Sequence, residues 1–181
     1  MEVTMKGIIL YTSKYGSTKR YADWLAEETG FDCAEIKTVN AESLQAYDLI
    51  VFGGGIYASA IAGLSVLKKL IGKLQDKKIL IFCVGAAPYE EAAFQKIKDA
   101  NLTGELAGLP CFYCRGSLDI DRMSFVDKNL CRMLGKAASK KKPEERDPVE
   151  SALAEAGTAG CDWTDKSYLE PILKQIKSEK Q

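Results

Sequence analysis

The sequence predicts an α/β protein whose five-stranded parallel sheet carries helices on both faces, three layers within one domain spanning residues 1–181. Three observations predict it. Short apolar runs alternate with segments whose apolar residues recur at helical spacing, the pattern of repeated strand–helix–strand units with right-handed crossovers. Several of the runs are apolar at consecutive positions, as strands buried on both faces must be. The length of 181 residues suits one domain with a sizeable core and one further excursion.

Strand one is Gly7 to Tyr11 (GIILY). The polar loop TSKYGST leads from it into a helix over Thr18 to Thr29, where Tyr21, Ala22, Leu25 and Ala26 share a face and Gly30 ends the element. Strand two is Asp32 to Ile36, and strand three is Asp48 to Gly53, ending in the triplet Gly53-Gly54-Gly55. A helix from Leu64 to Leu74 sets Leu64, Leu67, Ile71 and Leu74 on one stripe. Strand four, Lys78 to Gly85 (KILIFCVG), is the most apolar run of the chain. A helix over Glu90 to Ala100 and strand five over Pro110 to Arg115 complete the repeat. The final helix, Ser167 to Lys177, opens on Ser167-x-x-Glu170, which reads as a capping box, with Pro171 removing one backbone hydrogen bond.

Between strand five and that helix lies an insert, residues 116–165, which the repeat does not explain. It holds a predicted amphipathic helix with Met123, Val126, Leu130, Met133 and Leu134 on one stripe and Arg122, Lys128, Arg132 and Lys136 largely off it. A charged run (SKKKPEERDP) and a small-residue stretch (AEAGTAG) follow, both read as exposed loop. The apolar stripe has three possible partners: the protein's own sheet or a second subunit in a homodimer, another protein, or a peripheral membrane surface. The run Lys140 to Lys142 reads as a solvated loop or as a site for anionic lipid.

Composition narrows the chemistry. The chain has no histidine, which removes the commonest general base and the commonest metal ligand together. No metal site is predicted. Cysteines at 33, 83, 111, 114, 131 and 161 sit mostly in apolar runs, as reduced buried thiols do. Cys111 and Cys114, three apart on a strand, point to opposite faces and cannot share a metal. With 25 basic and 25 acidic side chains the formal charge is zero, and nothing suggests nucleic acid. The charge is uneven, since Arg115 to Arg146 holds nine Lys or Arg against five Asp or Glu. No run approaches the roughly 18 apolar residues of a membrane span. The N-terminal MEVTMKGIILYTSK is broken by Thr, Ser and Lys, so it reads as a first strand rather than a signal peptide, and the expected compartment is cytoplasmic.

The loop Ser13-Lys14-Tyr15-Gly16-Ser17-Thr18 carries the chemistry. A loop that ends at a helix N-terminus offers unpaired backbone N–H groups and the positive end of the helix dipole, which together favour a phosphate. The hydroxyls of Ser13, Ser17 and Thr18 add donors, and Gly16 lets the backbone close around the group. Competing phosphate motifs fail on particular residues. There is no G-x-x-x-x-G-K-[ST] and no G-x-G-x-x-G after strand one. The loop has no cysteine nucleophile, and strand three ends in glycines rather than a phospho-accepting aspartate.

These residues resemble the flavodoxin-like FMN proteins, whose phosphate loop reads [ST]-x-T-G-x-T after the first strand. Ser13, Gly16, Ser17 and Thr18 fit that pattern, and Tyr15 stands where the family usually has Thr. The resemblance implies strand order 2-1-3-4-5, FMN as cofactor, and ligand binding where strands one and three diverge. It also implies two loops around the isoalloxazine ring. One is Gly54-Gly55-Ile56-Tyr57, with Tyr57 placed to stack on the flavin; the other is Gly85-Ala86-Ala87-Pro88, followed by Tyr89. Within the family, Phe112 to Gly116, the long insert and Asp162-Trp163 resemble the branch containing bacterial quinone-dependent protoporphyrinogen oxidase. That resemblance makes Arg115, Arg122 and Arg132 candidates for substrate carboxylates, with a quinone or porphyrinogen as small-molecule partner. The implied function is an FMN oxidoreductase, with no catalytic side chain beyond the flavin itself. The alternatives are a flavodoxin-type electron carrier serving a redox partner and a flavin-binding regulatory domain.

Overall fold

A computed structural model of the chain describes residues 5–180. Five parallel strands form the body of the sheet: β1 (Gly7–Thr12), β2 (Asp32–Glu35), β3 (Leu49–Tyr57), β5 (Lys78–Gly85) and β6 (Cys111–Arg115). Their order is β2-β1-β3-β5-β6, the predicted 2-1-3-4-5, with the short β4 (Ala60–Ile61) folded back antiparallel on β3. The strands are apolar on both sides because each face has its own core. Ile8, Leu10, Ile50, Phe52, Ile79 and Ile81 point to one side, with Leu44 of the short α2 (Ala41–Leu44), Leu64, Leu67 and Ile71 of α3 (Leu64–Ile71) and Phe94 of α4 (Glu91–Asn101). Ile9, Leu49, Val51, Leu80 and Phe82 point to the other. There they meet Tyr21 and Leu25 of α1 (Ser17–Thr29) and Ile172 and Ile176 of α7 (Glu170–Glu179). Each buried aliphatic side chain contributes about 1.5–3 kcal/mol, so this doubly covered sheet dominates the stability. Cys111 and Cys114 fall on opposite faces, as their spacing requires.

Three local readings are corrected. The glycine triplet does not end the third strand but lies inside it, buried, and β3 runs on to Tyr57. A Cβ at Gly53 would lie 2.0 Å from the Phe82 ring, so packing decides the residue there against its weak strand propensity. The final helix begins at Glu170, preceded by a 3₁₀ turn over Lys166–Leu169 that Asp165 caps through the Ser167 N–H at 2.7 Å. Pro171 therefore sits in the first turn, where its missing N–H costs nothing. The charged run and the small-residue stretch are not all exposed loop: α6 (Pro148–Ala156) starts at the end of the first and takes in Ala154–Ala156 of the second, where Ala156 is buried. Asp147 and Glu150 form its capping box, with Pro148 in the first turn.

The insert leaves and rejoins the sheet at one point, where β7 (Ser117–Leu118) pairs antiparallel with β8 (Cys161–Asp162). Between them α5 (Phe125–Ser139) packs against α6 rather than on the sheet. No α5 residue joins either core cluster, and Ala138 is its one buried residue. The predicted stripe divides. Met123, just ahead of the helix, and Leu130 and Leu134 line the groove at the C-terminal edge of the sheet, while Val126 and Met133 are 72% and 62% exposed. Lys141 of the lysine run pairs with Glu150 at 2.5 Å. Among the described residues, no helix is long and apolar enough to cross a membrane.

Tyr21 ties the phosphate-loop helix to both ends of the insert. Its buried hydroxyl donates to the Arg115 carbonyl (2.6 Å) and accepts from the Asp165 N–H (3.0 Å), and burial pushes its ionisation up. Tyr21→Phe keeps the ring and orphans two backbone groups, so urea unfolding should show a loss of about 1.5 kcal/mol. An unchanged midpoint would mean that water replaces both bonds.

Candidate functional site

The loop after β1 closes on itself through the Gly16 N–H, which donates to Ser13 Oγ at 3.1 Å. Gly16 takes left-handed backbone angles (φ 101°, ψ −22°) and its carbonyl accepts the Arg20 N–H at 2.9 Å, which starts α1. No side chain caps this helix. The first two helical residues, Ser17 and Thr18, line the cavity at the carboxyl edge of the sheet, beside the two strands whose chain connections diverge, β1 and β3, while Gly16 ahead of them lines a smaller adjoining cavity. Thr18, a polar residue only 3% exposed, lines that cavity beside Lys14, Tyr15 and Ser17. The Ser17 hydroxyl also meets Ser117 Oγ at 2.7 Å, joining the loop to β7.

The two predicted ring loops converge on the same groove, of about 870 Å³. Gly55, Ile56 and Tyr57 form one wall, and Gly85, Ala86, Ala87, Pro88 and Tyr89 another. Gly54 is not at the surface of this groove; it is buried against the Ala62 carbonyl. The β3–β4 hairpin turns through Ala58 and Ser59, both at positive φ (46° and 65°), and Asn101 holds it by bonding the Ser59 carbonyl and the Ile61 N–H. The second ring loop is braced from behind. Tyr113 donates to the Ala87 carbonyl at 2.5 Å and Arg115 Nε to the Ala86 carbonyl at 3.0 Å. Burial raises the Tyr113 hydroxyl well above the ordinary phenol range, which keeps it a donor.

A third wall comes from the insert, through Met123, Leu130, Cys131, Leu134, Val149 and Leu153. The insert also reaches the phosphate loop. Asp127 of α5 accepts from Lys14 Nζ at 2.5 Å and from the Tyr15 hydroxyl, and the Lys14 ammonium beside it lowers its carboxyl to about 2. Tyr15 in turn meets Tyr57 edge-on, ring centroids 6.3 Å apart.

The three arginines are not brought together. Arg115 stacks on Trp163 (4.1 Å) and pairs with Glu155 (3.2 Å), so its charge is engaged inside the protein. Arg122 lines a smaller cavity of about 320 Å³ with Gly16, Ser17, Arg20 and Ser117. Arg132 is exposed on α5 and lines neither cavity. Sequence reasoning missed Asp127, because nothing local marks a contact that spans 112 residues. The hairpin and α6 were missed too, although Asp147-Pro148-Val149-Glu150 is a legible capping box.

The residues present suit an FMN phosphate and ring. The loop hydroxyls of Ser17 and Thr18 are neutral donors, the helix end carries no side-chain cap, and both flanking loops open on one groove of ligand size. Fold and loop together define a flavodoxin-like α/β protein with an uncapped helix N-terminus at the switch point of its sheet. The chain belongs to the flavodoxin domain family, whose profile matches residues 8–146 and stops just before α6. An uncharacterized protein of Methanocaldococcus jannaschii is 31% identical over 116 residues, 62% of this chain and 76% of that one. Among solved structures, the chain is similar to a putative flavoprotein of Bacteroides eggerthii (15% identity, TM-score 0.45), covering 61% of this chain and 86% of that one. A flavoprotein of Lactobacillus acidophilus, solved in complex with FMN, is 17% identical with a TM-score of 0.40, covering 62% and 93%. A WrbA-like flavodoxin of Agrobacterium tumefaciens is 17% identical with a TM-score of 0.44, covering 86% and 95%.

Proposed function

We propose that the chain binds FMN non-covalently and acts as an oxidoreductase that moves electrons between a donor and an acceptor. One observation carries this reading: the uncapped N-terminus of α1, entered through the Ser13–Thr18 loop, opens on the same groove as both ring loops. Ser17, Thr18 and the first-turn amides would hold the phosphate, with Gly16 and Ser13 closing the loop behind them. Gly55 to Tyr57 and Gly85 to Pro88 would hold the ring. Bound FMN supplies one- or two-electron chemistry; the chain supplies position and the exclusion of water.

An enzyme acting on a small apolar partner such as a quinone is favoured over a carrier that docks on proteins. The observation in its favour is the apolar wall that α5 and α6 add to the groove beside the ring loops. Carriers dock through an open, charged rim.

An ultraviolet–visible titration of flavin-free protein with FMN, repeated with riboflavin, tests the cofactor reading. The expected result is saturable FMN binding with riboflavin at least about a hundredfold weaker, the difference reporting the phosphate. Equal affinities would take the phosphate out of this loop, and no binding of either flavin would overturn the proposal.

A further inference from the structure

Asp127 joins two parts of the chain that share no core. The insert closes its own base through the β7–β8 pair and is tied to the sheet and α1 by polar contacts: Ser17 with Ser117, Arg20 with Asp162 and Thr164, Tyr21 with the Asp165 N–H, and Arg115 with Glu155. None of α5 enters the sheet's two apolar clusters. A segment held this way opens at low free energy, since few buried apolar contacts resist it. Against the groove, its position is set by the Asp127 carboxylate, which takes the Lys14 ammonium and the Tyr15 hydroxyl together. The Ser124 N–H donates to the same hydroxyl at 3.4 Å, so the end of α5 encloses the Tyr15 tip.

This contact gives a physical reason for the tyrosine in the phosphate loop. A threonine there could offer its hydroxyl to the phosphate but could not cross to α5. The tyrosine makes the opposite trade: its hydroxyl is committed to Asp127 and Ser124, and its ring turns an edge to Tyr57. Lys14, the one cation among the six loop residues, is committed in the same direction. Both side chains therefore serve the insert, and the phosphate is left to Ser17, Thr18 and the helix end.

We propose that Asp127 is a positioning residue of the cofactor site, clasping the insert to the phosphate loop so that closure of α5 over the groove and retention of the flavin are one linked equilibrium. The proposal rests on the reading of Ser13–Thr18 as the flavin phosphate loop. Met123, Leu130 and Leu134 line the same groove as the ring loops, so in this proposal movement of α5 widens the exit for a ligand lying along those loops. Linkage then runs both ways: the factor by which closure tightens FMN is the factor by which FMN favours closure.

The test uses the full chain, with FMN release followed by the recovery of flavin fluorescence and hydrogen exchange measured over Phe125–Ser139. Asp127→Asn keeps the shape and removes the charge, and Tyr15→Phe removes only the hydroxyl. Each should release FMN about fivefold faster than wild type, in line with one charge-assisted contact at a solvent-exposed site. Each should also raise α5 exchange in the flavin-free protein, and FMN should slow that exchange in wild type more than in either variant. Asp121→Asn, which breaks the Lys128 pair inside the insert, should leave release at the wild-type rate. FMN binding to wild type with unchanged release and exchange in Asp127→Asn and Tyr15→Phe would overturn the clasp alone. Failure of the wild-type chain to bind FMN would overturn the clasp together with the reading beneath it.

Discussion

Gly16→Val is expected to lower FMN affinity by about a hundredfold while leaving riboflavin affinity at its wild-type value. Space is not the obstacle, because a Cβ at this position would meet only Arg122 Nη1, at an ordinary contact distance of 3.7 Å. The obstacle is the backbone. At φ 101° a β-branched residue is strained, and the chain relieves the strain by leaving the left-handed region. Two bonds depend on that conformation, the Gly16 N–H to Ser13 and the Arg20 N–H to the Gly16 carbonyl. Losing them unwinds the first turn of α1 and scatters the amides that would face the phosphate. The remainder of α1, anchored by Tyr21, Ala22 and Leu25 in the core, stays in place, so thermal stability should fall only slightly. Paired titrations with the two flavins check this. A parallel loss of FMN and riboflavin would show that Gly16 supports the ring site instead.

The elements legible in the sequence are those whose residues answer to local or one-body physics. GIILY and KILIFCVG read as strands because burial on both faces demands unbroken apolar runs, and the structure places both in the middle of the sheet. The helix after the phosphate loop is legible from its single apolar face and its glycine stop. Illegible elements answer to partners distant in sequence. The glycines of β3 look like a loop, yet Phe82 and Ala62 leave no room there for a side chain. The β3–β4 turn at Ala58-Ser59 has neither of the residues that positive φ favours, and Asn101, some forty positions on, compensates for the strain. The insert stripe could be seen but not its partner, since amphipathicity says that a face is covered without saying by what. Within the candidate site, the loop at the helix N-terminus was legible from chain order, and the two loops that share its groove only from the family resemblance. The Lys14–Tyr15–Asp127 contact was not.

Gly54→Val should act on the other half of the site and more severely, costing at least about 3 kcal/mol of stability and abolishing the binding of both flavins. A Cβ at Gly54 would lie 2.3 Å from the Ala62 carbonyl oxygen and 2.7 Å from Ile61 Cγ2. A flexible side chain could step aside, but Ala62 is fixed, since its own N–H donates to the Gly55 carbonyl at 2.9 Å. The strand cannot yield either, because Gly54 sits in register between Thr12 of β1 and Cys83 of β5. The chain must therefore expel β4, and with it the pairing of Ile56 with Ile61 and of Tyr57 with Ala60 that shapes the first ring loop. Urea denaturation measures the first effect, and titration of whatever remains folded measures the second. The comparison with Gly16→Val separates the two halves of the groove: one variant loses the phosphate contribution and spares riboflavin, the other loses the ring compartment and with it every flavin. Wild-type stability with riboflavin binding intact in Gly54→Val would mean that β4 can move outward without disturbing the ring loop, and the ring would then have to be placed elsewhere along the groove.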